Sequence, residues 1–181
     1  IMTSHFVAAS CKLEGDAFVS NLLWSKVDPI AAMGVSTIDG DGRETHQVLF
    51  INNEGGLIKN SSITHDYEAE KLDWQPNGKI LAVGWSDGMI SCWNVDGRTR
   101  PTSSFSNSSQ HNSAITVILW SPNGKRLITG DKRGQVCVWN ADSRGTLTPI
   151  RQYRKKGEIS SAVFCASPIA SQNVGNVMHH L

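Results

Sequence analysis

Two stretches of the chain, Trp74 to Asp96 and Trp120 to Asp142, repeat each other at an offset of 46 residues. The first reads W-Q-P-N-G-K-I-L-A-V-G-W-S-D-G-M-I-S-C-W-N-V-D and the second W-S-P-N-G-K-R-L-I-T-G-D-K-R-G-Q-V-C-V-W-N-A-D. Eleven positions are identical, among them Trp74/Trp120, Gly84/Gly130 and Trp93/Trp139. A period in the forties is that of a propeller blade, a small sheet that cannot bury its own faces and must stack on its neighbours. The implied fold is an all-β WD-repeat β-propeller, and a repeat of this kind turns the functional question from catalysis towards binding.

Each unit divides into short strands separated by turn residues. Ala69 to Trp74, Lys79 to Gly84 and Met89 to Val95 are strands of one unit, with turns at Pro76-Asn77-Gly78 and Ser86-Asp87-Gly88. Asn-Gly is a strong hairpin signal because both positions accept positive φ. The next unit repeats the plan at Ile115 to Trp120, Arg126 to Gly130 and Gln135 to Asn140. Pro101 to Phe105 and Pro149 to Tyr153 are candidate outer strands, and the Ser-rich stretch Thr102 to Ser113 reads as a solvated loop between blades. A degenerate copy comes first, with strands at Phe18 to Trp24, Asp28 to Val35 and Gln47 to Asn52 and its extra length in a longer turn over Ile38 to Glu44. A further copy starts at Glu158 to Cys165 and breaks off. The expected organisation is therefore a partial ring over residues 1–165, about three blades (18–63, 67–106, 111–153) plus the start of a fourth (158–165). Residues 166–181 are expected to be a non-repeat tail, disordered or aberrant. An open arc leaves blade faces bare, on the order of 600 Å² each, worth roughly 15 kcal/mol at ~25 cal/mol per Å². Such a patch points to a truncated piece of a longer protein, or to a chain that a partner completes.

Of 181 residues, 39% are hydrophobic and 18% charged, with a formal net charge of +1. This suits a packed domain and argues against disorder. A charge near zero gives no electrostatic case for nucleic acid or anionic lipid as the main partner. No apolar run is long enough for a transmembrane segment. The four cysteines, Cys11, Cys92, Cys137 and Cys165, show no C-x-x-C spacing and read as reduced structural thiols of a cytosolic protein.

His65 and His111 each precede a blade tryptophan by nine residues, a spacing that recurs with the blade and so marks a structural role. The units resemble WD repeats, in which such a loop His bonds near the turn before the third strand. Asp87 is the candidate partner in its blade, while the equivalent position next door is Arg133, so the network there must differ. Trp74, Trp93, Trp120 and Trp139 recur as packing residues between blades, with Gly84 and Gly130 as structural glycines. Trp85 does not recur, because its counterpart is Asp131; it is a candidate surface anchor for a partner, against the plainer reading of a locally packed ring. Arg151, Arg154, Lys155 and Lys156 form the one basic cluster, with Tyr153 inside it, and are a candidate site for phosphate or an acidic partner, against the plainer reading of a solvated face. Arg144, Lys132 and Arg133 would join it if the blade geometry allows. Enzyme signatures such as G-x-S-x-G and H-E-x-x-H do not occur, and the expectation is a protein with no catalytic residues, cofactor or metal. His179-His180 reads as an accident of the tail rather than a metal site.

The strings L-A-V-G-W-S-D-G (Leu81 to Gly88), I-T-V-I-L-W-S-P-N-G (Ile115 to Gly124) and L-I-T-G-D-K-R-G (Leu127 to Gly134) narrow the match. They resemble the amino-terminal propeller of the intraflagellar transport protein 140 family. The resemblance is firm from Tyr67 to Cys165, loose from Phe18 to Asp66, and absent from Ala166 to Leu181. It implies part of a scaffold with two tandem propellers and a long helical-repeat region, working in cilia, at the axoneme and basal body and in the cytoplasm. The implied role is retrograde transport, membrane-protein entry and cilium assembly, with other complex A subunits and ciliary membrane-protein cargo as partners. The competing reading is a WD-repeat adaptor of another assembly, such as a vesicle coat or a ubiquitin-ligase substrate receptor. A propeller enzyme would need an acidic or His cluster in blades beyond this stretch.

Overall fold

A computed structural model describes residue 13, residues 16–107 and residues 110–165 of the chain. Twelve strands form three four-stranded antiparallel sheets, each a simple meander. Blade 1 comprises β1 (Asp16–Trp24), β2 (Ile30–Ile38), β3 (Glu44–Asn52) and β4 (Leu57–His65). Blade 2 is β5 (Ala69–Trp74), β6 (Ile80–Trp85), β7 (Ile90–Asn94) and β8 (Thr102–Asn107). β9 (Ile115–Trp120), β10 (Arg126–Asp131), β11 (Gln135–Ala141) and β12 (Leu147–Arg154) make blade 3. The structure is a partial WD-type propeller, open rather than closed, and no helix occurs among the described residues.

The second strand of every blade is its most buried: β2, β6 and β10 are covered along nearly their whole length. β6, lying between blades 1 and 3, is covered on both sides, and such a strand reads as a continuous hydrophobic run instead of an alternating one. Paired residues on adjacent antiparallel strands share a face, so the registers sort each blade into two sides. In blade 1, Ala32 with Phe50 and Val48 with Ile63 line the side facing blade 2. There they meet Leu72, Trp74, Leu81, Val83 and Trp85 in one buried cluster. The same side of blade 2, with Ala82, Ile90 and Cys92, packs on Trp120, Leu127, Cys137 and Trp139 of blade 3. These two seams hold most of the core, and Ala31, Met33, Val35 and Ile51 form a third, smaller buried cluster on the other side of blade 1. Burying a Leu or Phe side chain in a seam contributes about 1.5–3 kcal/mol.

Close approach sets the glycines of the second strands. A Cβ on Gly84 would lie 2.4 Å from Cγ2 of Ile115, and one on Gly130 would lie 2.7 Å from Cγ2 of Ile159. Blades 2 and 3 thus each seat a following isoleucine against a bare backbone, whereas Gly34 of blade 1 faces Ser20 and Ala69.

Three expectations change. The Ser-rich stretch from Thr102 is not all loop: Thr102–Asn107 is the outer strand β8, held because Phe105 packs edge-on against Trp139 at 5.8 Å. The extra length of blade 1 goes mainly into strands, since β2 and β3 have nine residues each against six and five in β6 and β7. Only Asp39 to Arg43 forms the connection, with the Asp39 carboxylate accepting from the Asp41 and Arg43 amides. Glu158 to Cys165 makes no strand ladder, although Ile159 is buried where a next blade begins. Cys11, residues 166–181 and His179-His180 lie outside the described residues.

Candidate functional site

The recurring polar residues form two different internal networks. In blade 3, His111 is fully buried between two partners: its Nδ1 lies 3.1 Å from Asp131 Oδ2 and its Nε2 lies 2.8 Å from Thr129 Oγ1. Trp139 Nε1 donates to the same Thr129 hydroxyl at 2.9 Å. One tautomer satisfies every group. Nδ1–H donates to the carboxylate, the Thr129 hydroxyl donates to Nε2, and the indole donates to the hydroxyl oxygen. Burial holds the His111 pKa below its ordinary value, and the Asp131 hydrogen bond and charge oppose that only in part. The other carboxylate oxygen of Asp131 accepts the Arg133 and Gln135 amides at 2.9 Å each, closing the turn that follows β10.

Asp131 is the residue that sequence reasoning passed over. In the repeat it aligns with Trp85, and the position equivalent to Asp87 is Arg133, so a different network is expected in this blade and Asp131 supplies it. The missed signal is the two-residue difference between an Asp ending a strand and an Asp inside the turn. Asp87 is the turn case, and its carboxylate accepts the Met89 amide at 2.8 Å.

Blade 2 solves the same problem with other atoms. Trp85 is not a surface anchor: it is 0% exposed. Its ring stacks on His65 with centroids 4.3 Å apart and an interplanar angle of 21°. Residues Trp85 and Asp131 occupy one position in two copies, so an aromatic stack replaces an ion-type hydrogen bond. Ser91 Oγ accepts both Trp85 Nε1 and Trp93 Nε1 at 2.9 Å. The counterpart of Ser91 is Cys137 and that of Thr129 is Val83, so the hydroxyl that satisfies the third-strand indole has moved between strands.

Links between blades are also polar. Trp74 Nε1 donates to the carbonyl of Leu23 at 3.0 Å, and Trp120 N donates to Asp73 Oδ2 at 2.6 Å. Desolvation pushes the Asp73 pKa up, with the Trp120 amide pulling the other way. Ser20 Oγ donates to the carbonyl of Ala69 at 2.7 Å, and Thr116 Oγ1 donates to that of Ile159 at 2.6 Å. Burial raises the Cys92 thiol pKa to about 12, the behaviour of an inert packing residue.

The basic cluster lies on the surface. Arg151, Tyr153, Arg154, Lys155 and Lys156 are exposed along β12 and just beyond it. Lys155 N donates to the carbonyl of Gly134 at 2.8 Å, which brings the β10–β11 turn with Lys132 and Arg133 to the same end of the blade. Arg144 lies at the opposite end and pairs with Asp142 at 3.7 Å. Among the described residues no group of three or more His, Cys, Asp or Glu side chains is arranged to hold a metal ion. Nor is any helix long and apolar enough to cross a membrane.

Comparison with known proteins gives a family and a fold. Residues 10–179 match the family described as IFT140 first beta-propeller. That span includes most of the tail in which sequence reasoning saw no resemblance. No curated protein matches the chain. Among solved structures it is similar to a chain of a mitotic checkpoint complex, with a TM-score of 0.65 and 20% identity over 82% of this chain and 41% of that one. A chain of the COPII outer coat vertex on membranes gives 0.59 and 18% over 77% and 39%. Chaetomium thermophilum Sqt1 bound to the N-terminus of ribosomal protein L10 gives 0.58 and 17% over 76% and 34%. At such identities the likeness shows the propeller fold alone, and the chain spans roughly two-fifths or less of these structures.

Proposed function

Because the chain belongs to the family of the IFT140 first β-propeller, we propose that it is a non-catalytic interaction segment of an intraflagellar transport complex A scaffold. In this reading it acts in retrograde ciliary transport, membrane-protein entry and cilium assembly, at the axoneme and basal body and in the cytoplasm. Its partners are other complex A subunits and ciliary membrane-protein cargo. The family match over residues 10–179 carries the proposal.

The fate of the reactive side chains supports it. Both ring nitrogens of His111 are engaged inside the blade, and Asp131 is spent on the same network and on its turn. Cys92 and Cys137 are buried with raised pKa values. These groups hold a blade together, and a substrate cannot reach them. What faces outward is blade edges and loops, the surfaces by which a rigid scaffold binds. We assign structural roles to His65, Trp74, Gly84, Asp87, Trp93, His111, Trp120, Gly130 and Trp139.

Affinity purification of the tagged full-length gene product from ciliated cells, with mass spectrometry of its companions, tests the reading. Co-purification of complex A subunits is the expected outcome. Recovery of vesicle-coat or ubiquitin-ligase components in their place would overturn it in favour of an adaptor of another assembly.

A further inference from the structure

The three outer strands occupy equivalent places at the rim, yet their chemistry differs. β8 (TSSFSN) carries no charge, and β4 (LIKNSSITH) carries one lysine. β12 (LTPIRQYR) carries two arginines, followed at once by Lys155 and Lys156. Cations on an edge strand commonly guard against unwanted pairing. A guarding role alone leaves β8 unexplained, since it is an edge strand of the same kind without any charge. The concentration on blade 3 is local, and the chain as a whole has a net charge of +1.

We propose that the outer edge of blade 3 is a docking surface for an acidic polypeptide segment that lies along β12 in extended conformation. β12 ends its sheet, so one row of its backbone donors and acceptors faces outward. Strand addition to such an edge takes affinity from main-chain hydrogen bonds and specificity from alternate side chains. Pairing of Tyr153 with Val136 and of Arg151 with Val138 places Arg151 and Tyr153 on one face. Arg154 falls on the other, so a bound strand meets cations on both sides. Tyr153 and Ile150, each 46% exposed, supply apolar contact within the charged frame. Arg133 stands beside Lys155 through the turn contact at Gly134. None of Arg133, Arg151, Arg154, Lys155 and Lys156 forms an ion pair among the described residues.

The neighbouring blades select a polypeptide over a flat anionic surface. The loops of blades 1 and 2 at the Lys155 end carry five carboxylates, Asp39, Asp41, Asp66, Glu68 and Asp87, against the single Arg43 among the described residues. A membrane laid across that end would meet these carboxylates, whereas a strand following β12 touches blade 3 alone. This surface deepens the scaffold reading and rests on it.

The test uses the full-length protein and a labelled peptide of alternating Glu and Val, eight residues long to match β12, read by fluorescence anisotropy. Binding that weakens with salt, and falls tenfold or more in the Arg154→Glu, Lys155→Glu double variant, is the expected result. Both side chains are exposed, and an unchanged melting curve shows that the variant still folds. A Lys-Val peptide is expected not to bind, and a Glu-Pro peptide to bind more weakly because proline lacks the donor N–H. Equal affinity for the double variant or for the Lys-Val peptide would overturn the surface, and equal affinity for the Glu-Pro peptide would overturn strand addition. Vesicles of phosphatidylserine that bind through Arg154 and Lys155 while the Glu-Val peptide does not would refute the polypeptide assignment. Complex A subunits that still co-purify with the double variant, together with lost peptide binding, support a surface separate from assembly; their absence from the wild-type protein refutes the scaffold reading alone.

Discussion

Thr129→Val tests the internal network of blade 3 with a change of almost no volume. The substitution keeps the β-branched shape and deletes one hydroxyl. That hydroxyl accepts Trp139 Nε1 at 2.9 Å and donates to His111 Nε2 at 2.8 Å, and all three residues are buried. Two polar groups are left without partners, each at about 1–3 kcal/mol, so the expected loss is about 2–6 kcal/mol. The repeat itself supplies the rescue. Blade 2 already has Val83 where blade 3 has Thr129, and it satisfies its indole from Ser91, the counterpart of Cys137. Cys137→Ser should cost about 1 kcal/mol alone, yet recover about 1 kcal/mol when added to Thr129→Val, because it returns an acceptor to Trp139. Urea unfolding of the complete propeller, followed by tryptophan fluorescence, gives the four stabilities of the cycle. A loss below about 0.5 kcal/mol for Thr129→Val, or additivity within about 0.3 kcal/mol, would refute the argument.

The buried imidazole has a pH consequence. With the His111 pKa lowered by folding, the unfolded chain binds a proton that the native one refuses, so stability rises with pH in that window. It is fully present above about pH 6.5 and lost as the pH falls below it; urea midpoints across this range should show the slope, and His111→Gln should flatten it. Gly84→Ala places a Cβ 2.4 Å from Ile115 and should destabilise by about 1–3 kcal/mol through overpacking, whereas an unchanged melting point would show that the blades slide apart freely. Trp74→Ala and Trp120→Ala each remove a buried ring from a seam and should lower stability by about 3–5 kcal/mol; a change below about 1 kcal/mol in urea titration would contradict the packing. Trp85→Ala should behave as a core lesion, lowering the melting temperature rather than partner affinity in a pull-down.

Particular residues show why some features were legible and others were not. The strands of blades 2 and 3 lie within a residue or two of their sequence boundaries, because the turn residues that separate them and the repeat itself are local signals. In β8 the Ser-rich composition suggests a loop and outweighs one phenylalanine, and what holds Phe105 is Trp139, more than thirty residues away. For Trp85 the sequence leaves both a surface anchor and a locally packed ring open, because its exposure depends on a stacking partner, His65, on another strand. The basic cluster was visible as a run, but its junction with Arg133 required the turn contact between Gly134 and Lys155.

The sequence by itself determined the repeat, the meander within each blade and the family, because each is written in the order and spacing of residues. Tertiary structure alone decided which buried groups answer one another: Asp131 for His111, Ser91 for two indoles, Asp73 for the Trp120 amide. The physical reason is that buried polar atoms must find partners wherever packing puts them. Two copies of one blade can meet that demand with different residues, and no period in the sequence records the choice.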